Sequence, residues 1–328
     1  MAGRLEQLRP AVADEEAVEA PAERKSRSLD LVGRRNWFFG ASLLIIAPGI
    51  FFMLTRGFLL GIDFQGGTEF FLKFTQQPTQ AAVESAVAAE GVNGTVQRTG
   101  TGSFIIRTPP LDPVHQRQLQ DNLAGRLGPI DSTASQVNEV GGVVAAETVF
   151  NALKAVVFAS LAILFYLAFR FRNVPGGWRS GFQFGGSALL ALLHDVAVLT
   201  GIFSILGKGL GLRIGEIDSL FLTAVLTVVG FSVHDTIVVF DRIRENMVVA
   251  QRLTFEQVAN LSVMQTAARS IITSFTVVLV LVALLFFGGE TLRGFVLALL
   301  IGIVSGTYSS IFNATPLLVV WRRLQPVR

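Results

Sequence analysis

The chain has 328 residues, of which 51% are hydrophobic and 16% charged, with a mean hydropathy of +0.55. That balance excludes an ordinary soluble domain, and the absence of cysteine excludes disulfides, thiolate chemistry and Cys-ligated metal. A net charge of +3 would suit a nucleic-acid partner, but the basic residues are grouped as topology signals and no nucleic acid is expected.

In chain order, residues 1–36 are rich in Ala, Glu and Arg and predict a cytoplasmic tail with no fold of its own. The apolar run 37–55 follows, within a first span over 37–56. It is read as retained rather than cleaved, because a long tail precedes it and no small-x-small site follows. Residues 57–147 are polar and form an exported domain with a core over 63–143. Strand composition marks 68–75, 95–100, 103–109 and 132–140. Helical spacing marks 79–91, opened by Thr79 and stopped at Gly91. It also marks 112–128, with Asp112 as N-cap, Pro113 at the first position and Gly128 past the end. The order β-α-β-β-α-β is the ferredoxin-like plan. His115 lies on a polar helix and is read as a solvated surface residue. GIDFQGGTEF (61–70) joins the first span to this domain. Gly66 and Gly67 can take positive φ and turn the chain, Asp63 can cap that turn, and the alternative is a contact to a moving substrate or partner.

Five further apolar runs, 148–169, 182–206, 219–240, 271–288 and 294–320, are long enough to cross about 30 Å of hydrocarbon as helices. Residues 148–321 are therefore spans 2–6, followed by a tail at 322–328. The connection 241–270 is helical in pattern and carries both charge signs, so it is expected along the cytoplasmic membrane surface. Residues 1–36, 170–181, 241–269 and 321–328 hold 17 of the 27 basic residues, and alternation of six spans puts them on one side. Both termini are then cytoplasmic and 57–147 lies outside. The fold class is an all-α six-helix transmembrane bundle with a small α+β domain between helices 1 and 2.

Three ionisable groups fall inside or at the edge of these runs. His194 and Asp195 lie within span 3. His234 and Asp235 lie in span 4, six residues, or about 9 Å, above the cluster beginning at Asp241. Arg269 opens span 5, with Ser270, Thr273 and Ser274 behind it. A central Asp or Arg costs about 2.5–3.5 kcal/mol on insertion scales, so these groups must find partners inside the bundle. Asp235 and Arg269 lie on the same half of antiparallel neighbours, and Ser232 precedes Asp235 by one turn on the same face. Asp235 is thus a candidate proton carrier, with Arg269 as its conditional partner and Ser232 as donor or acceptor to it. The competing reading is a static ion pair fixing helix register. His194 and Asp195 either extend the same relay or hydrogen-bond across helices. Neither metal-ligand spacing nor a GxGD-type protease motif accompanies the two His-Asp pairs. No acid, base and nucleophile assemble, so an enzyme is not expected, nor is a cofactor or metal.

GIDFQGGT after the first span, ALLHDV in the third, GFSVHDTIVVFDRIREN in the fourth and ARSIITSFT in the fifth resemble the SecF family. The likeness runs from about residue 33 to 322. It implies half of an RND-type transporter in the bacterial inner membrane, working with SecD beside SecYEG and SecA. There it would use the proton-motive force to draw preprotein across. Asp235 matches the family's span-4 aspartate and Arg269 its span-5 arginine, whereas His234 stands where the family often has a neutral polar residue. An RND-type exporter of small molecules or lipids and a non-transporting translocon scaffold are the alternatives.

Overall fold

The computed structural model describes residues 30–326, so the tail expected over 1–36 lies largely outside the described residues. Among the described residues, six helical segments are long and apolar enough to cross a membrane: Arg35–Thr55, Gly142–Arg170, Gly177–Gly209, Ser219–Val249, Phe255–Phe287 and Glu290–Leu324. Within them lie α1 (Arg35–Thr55), α5 (Gly142–Arg170), α6 (Gly177–Ser204), α7 (Ser219–Val249), α8 (Phe255–Phe287), α9 (Arg293–Ser309) and α10 (Thr315–Leu324). The inner helices α6, α7 and α9 bury a shared core, with Leu199, Phe203, Ala224, Val228, Phe240 and Ala298 almost wholly covered.

The connection 241–270 is helical, as expected, but it is continuous with the flanking spans rather than a separate helix. Its first part extends α7 and its second part extends α8, leaving a turn at 250–254. The reason is local chemistry. Thr254 and Gln257 form a capping box that starts α8. Across the two extensions, the Asn246 amide donates to Ser262 Oγ and Gln265 Oε1, both at 2.9 Å. These bonds pack the two extensions against each other.

Span 6 is divided by a π-helical turn at Ser310–Ala314. Pro316 accounts for the break, because it lacks an N–H and its ring would strike the carbonyl four residues back. Such turns recur at functional sites.

The small domain comprises a short helix, α2 (Ile62–Gln65), then β1 (Gly67–Leu72), α3 (Gln80–Ala89), β2 (Thr95–Arg98), β3 (Phe104–Thr108), α4 (Pro113–Leu127) and β4 (Gln136–Val140). The sheet is antiparallel with order β2-β3-β1-β4. Period-2 alternation sends Phe70, Leu72, Phe104 and Ile106 into one core with Val83, Val87, Leu119 and Leu123 of the two helices. Thr79 Oγ1 accepts the N–H of Ala82, and Asp112 Oδ1 those of Val114 and His115, so both caps form where the sequence places them. His115 is exposed and shares a 2.5 Å contact with the Asp112 carboxylate.

The loops expected on one side do meet at one end of the bundle. There Glu256 is paired with Arg35 at 2.8 Å and with Arg323, while Arg170 lies 3.2 Å from Asp241. At the other end the small domain rests on the loops before α7 and α9. Glu290 accepts the Gly100 N–H at 2.9 Å and the Thr101 hydroxyl at 2.7 Å. Burial acts to raise Glu290, but these two donors and the nearby Arg293 hold its carboxyl below its ordinary 4.5. A depressed acid contributes stability above its unfolded pKa and loses it as pH falls through the folded value. The Gly100 amide resonance should therefore shift with a midpoint below about 4.5, and Glu290→Gln should abolish that titration.

Candidate functional site

Two pairs of helices, α7 with α9 and α1 with α6, approach closely. An added Cβ at Gly302 of α9 would stand 2.2 Å from Val228 Cγ2 of α7, and one at Gly306 would stand 3.0 Å from Ser232 Cβ. Only residues without side chains let α9 lie this near α7, as small residues do in membrane helix packing. Gly49 of α1 and Gly201 of α6 meet in the same way.

Into the resulting seam α6 projects Asp195, which is fully buried. Three serine hydroxyls converge on it. Ser232 Oγ donates to Oδ2 at 2.7 Å, Ser309 Oγ to Oδ2 at 2.6 Å and Ser305 Oγ to Oδ1 at 2.7 Å. His194 Nδ1 lies 3.1 Å from Oδ1, while its Nε2 is buried with no hydrogen-bond partner among the described residues. A carboxylate offers about four lone-pair sites and no donor, which this set of donors fits. Asp195 thus ties α6, α7 and α9 at one point.

Asp235 occupies a different environment, three residues on from Ser232. Its Oδ1 accepts the Ser270 hydroxyl of α8 at 2.5 Å, while Oδ2 is buried and has no hydrogen-bond partner among the described residues. Next to it, Thr236 Oγ1 and Ser310 Oγ lie 2.9 Å apart, and Ser274 Oγ and Thr307 Oγ1 lie 2.5 Å apart. At the edge, Asn313 Nδ2 donates to Ser42 Oγ of α1 at 3.0 Å. A polar seam therefore runs through an otherwise apolar bundle, with two acids at its centre.

The structure brings together some of the residues singled out in the sequence and separates others. Arg269 is exposed and forms no ion pair with Asp235. Ser270, one residue and about 100° further round the helix, takes the inward position instead. Ser232 serves Asp195 rather than Asp235, because it faces α6 and α9. Thr273 is exposed and donates to the Arg269 carbonyl at 2.9 Å, and His234 is exposed on α7. Asp63 does not cap the turn at Gly66–Gly67. Its Oδ2 accepts the N–H of Ser219, the first residue of α7, at 2.8 Å. The elbow itself is glycine-dependent: Gly66 has φ 74° and Gly67 φ 130°, and an added Cβ at Gly67 would lie 2.6 Å from the Thr108 carbonyl oxygen.

Sequence reasoning missed Ser305 and Ser309. The signal available was Gly302, Ser305, Gly306 and Ser309, a small-residue stripe at helical spacing whose two serines face one way. Among the described residues no three His, Asp or Glu side chains cluster as metal ligands would.

The family model for protein export membrane protein SecD/SecF, C-terminal, matches residues 121–324, well over half the chain, and that for the SecD/SecF GG motif matches residues 51–78. Among similar proteins, the protein translocase subunit SecF of Thermobaculum terrenum is 47% identical over 306 residues, covering 89% of this chain and 94% of the relative. The SecF of Anaerolinea thermophila is 38% identical, covering 89% and 94%. The crystal structure of SecDF from Thermus thermophilus, a translocon-associated membrane protein, superposes with a TM-score of 0.77 at 33% identity. It covers 89% of this chain and 38% of the SecDF chain. The buried acids and serines thus lie in a chain that belongs to the SecF family of protein translocase subunits.

Proposed function

We propose that this chain is the SecF subunit of a proton-motive-force-driven export complex in the bacterial inner membrane. It works with SecD beside SecYEG and SecA, draws emerging preprotein outward, and uses protons rather than a bound cofactor. Both termini and the basic end of the bundle are cytoplasmic, and the small domain, ferredoxin-like in its β-α-β-β-α-β order, lies outside.

One observation carries this reading: the buried Asp235 Oδ2 has no partner among the described residues, at the crossing of α7 and α8. A half-satisfied carboxyl within the membrane is costly, and ionisable residues at such depths mark proton and ion pathways. Protonation of Oδ2 neutralises the acid. When the proton leaves, the charge calls for a cation, and Arg269 stands one residue from Ser270. A turn of α8 by about 100° would bring the guanidinium round to the carboxylate. Asp195, held by three donors from two helices, is the fixed counterpart and holds the seam while α8 moves.

The test compares native chain with Asp235→Asn, each with SecD in vesicles carrying the translocon. The amide keeps the shape and accepts the Ser270 bond but does not titrate. Gradient-stimulated export and proton uptake should both fall to the level seen without the subunit. Export that still answers to the gradient in the variant would leave only a scaffold role.

A further inference from the structure

Besides the exposed Glu290 loop, the packing of α2 on the start of α5 and the Ser204 hydroxyl on the Gly57 carbonyl, the polar contacts between the small domain and the bundle converge on the start of α7. Asp63 Oδ2 accepts the Ser219 N–H at 2.8 Å and Asp218 Oδ1 accepts the Phe221 N–H at 2.7 Å, so two acids cap the helix, one local and one from the elbow. The backbone joins in: Gly61 N–H donates to the Ile217 carbonyl and Ile217 N–H to the Leu59 carbonyl, both at 2.8 Å. Arg107 of β3 then grips Glu216, three residues before α7, and Glu69 of β1 at 2.7 Å. Arg213 stands 3.5 Å from Glu216 and 3.6 Å from Glu69. Burial acts against the charge on Arg107, but the carboxylates of Glu216 and Glu69 more than offset it and hold its pKa above the ordinary value.

The four charged side chains are only 10–28% exposed, whereas the Glu290 contact is made to exposed residues. Buried, bridging charges resist separation far more than surface ones. The junction therefore has a tight side on α7 and a loose side on the α8–α9 loop. At the elbow there is no room for a side chain at Gly67 beside the Thr108 carbonyl. From Ser219 the helix runs unbroken to Ser232 and Asp235, about 24 Å away at 1.5 Å per residue.

We propose that α7 and the small domain move as one body, with Asp63 as the positioning residue that ties them, so that movement of α7 relative to α8 at the seam is delivered directly to the domain. This rests on the coupling reading above for its purpose, but its test stands on geometry alone. Spin labels at Gly125→Cys, on the exposed face of α4, and Leu220→Cys, at the top of α7, report the distance between the two bodies. The cysteine-free chain gives these labels no competitor.

With SecD in proteoliposomes, one narrow distance should persist with and without a proton gradient. Asp63→Ala combined with Glu216→Gln should broaden it and lower export by about tenfold or more, a typical coupling between sites, while proton uptake continues. A disulfide between Leu60→Cys and Ile217→Cys, which are paired across the junction, should leave export intact, since that contact never opens. Three results would overturn the proposal: a native distance that shifts with the gradient, export unchanged in the double variant, or a lock that stops export until reduced. Failure of the coupling reading is seen separately, in an Asp235→Asn chain that still exports on the gradient.

Discussion

Asp195→Ala is expected to destabilise the bundle by about 2–4 kcal/mol, more than any other single change to its polar side chains. The figure follows from the donors left behind. Ser232, Ser305 and Ser309 each lose a buried acceptor, and interhelical hydrogen bonds in membranes are worth about 0.6 kcal/mol on average and up to about 1.7. Part of the loss is recovered, because Ser309 already has the Gly306 carbonyl at 3.2 Å as a second acceptor. Asp195→Asn should cost less, since an amide oxygen still accepts two of the hydroxyls. Asp235→Asn should cost least, because only Ser270 is bonded to that acid. Unfolding titrations in mixed micelles would read the order directly, and the reverse order for the two aspartates would remove Asp195 from its role as the fixed point.

The same contrast shows what the sequence reveals and what it conceals. Six apolar runs, the caps at Thr79 and Asp112 and the strand composition of β1 and β3 depend on neighbours within a turn or a strand, and these elements appear where the sequence places them. The burial of Asp195 and Asp235 inside the bundle is equally legible, because each is flanked by apolar residues within a long apolar run. Which face each residue presents to another helix is not. Arg269 and Ser270 differ by one position and about 100°, and the rotation that hides one and exposes the other is set by how α8 meets α7 and α9. Ser305 and Ser309 look like ordinary small residues until Gly302 and Gly306 bring α9 against α7. Asp63 reads as a local turn cap because its true acceptor role spans 156 residues of chain. Local chemistry was visible; pairing between distant elements required the packed bundle.

Gly302→Ala is expected to be nearly as damaging as the loss of Asp195, although it touches no charge. The new methyl would stand 2.2 Å from Val228 Cγ2, 2.7 Å from Cγ1 and 3.0 Å from Cβ. Val228 is β-branched and has one strongly preferred rotamer in a helix, so it cannot turn aside. The strain must be relieved by moving α9 off α7, at a cost of about 1–3 kcal/mol for overpacking a close contact. That displacement carries Ser305 and Ser309 away from Asp195, so stability and export should fall together. Val228→Ala removes both Cγ atoms and restores room. The double variant should regain most of the loss, a coupling of about 1 kcal/mol or more in the cycle. Gly306→Ala, 3.0 Å from Ser232 Cβ, should act more mildly on stability but still shift the Ser232 hydroxyl. If Gly302→Ala were neutral and Val228→Ala brought no rescue, the approach of α9 to α7 would not be what assembles the serines around the buried acid.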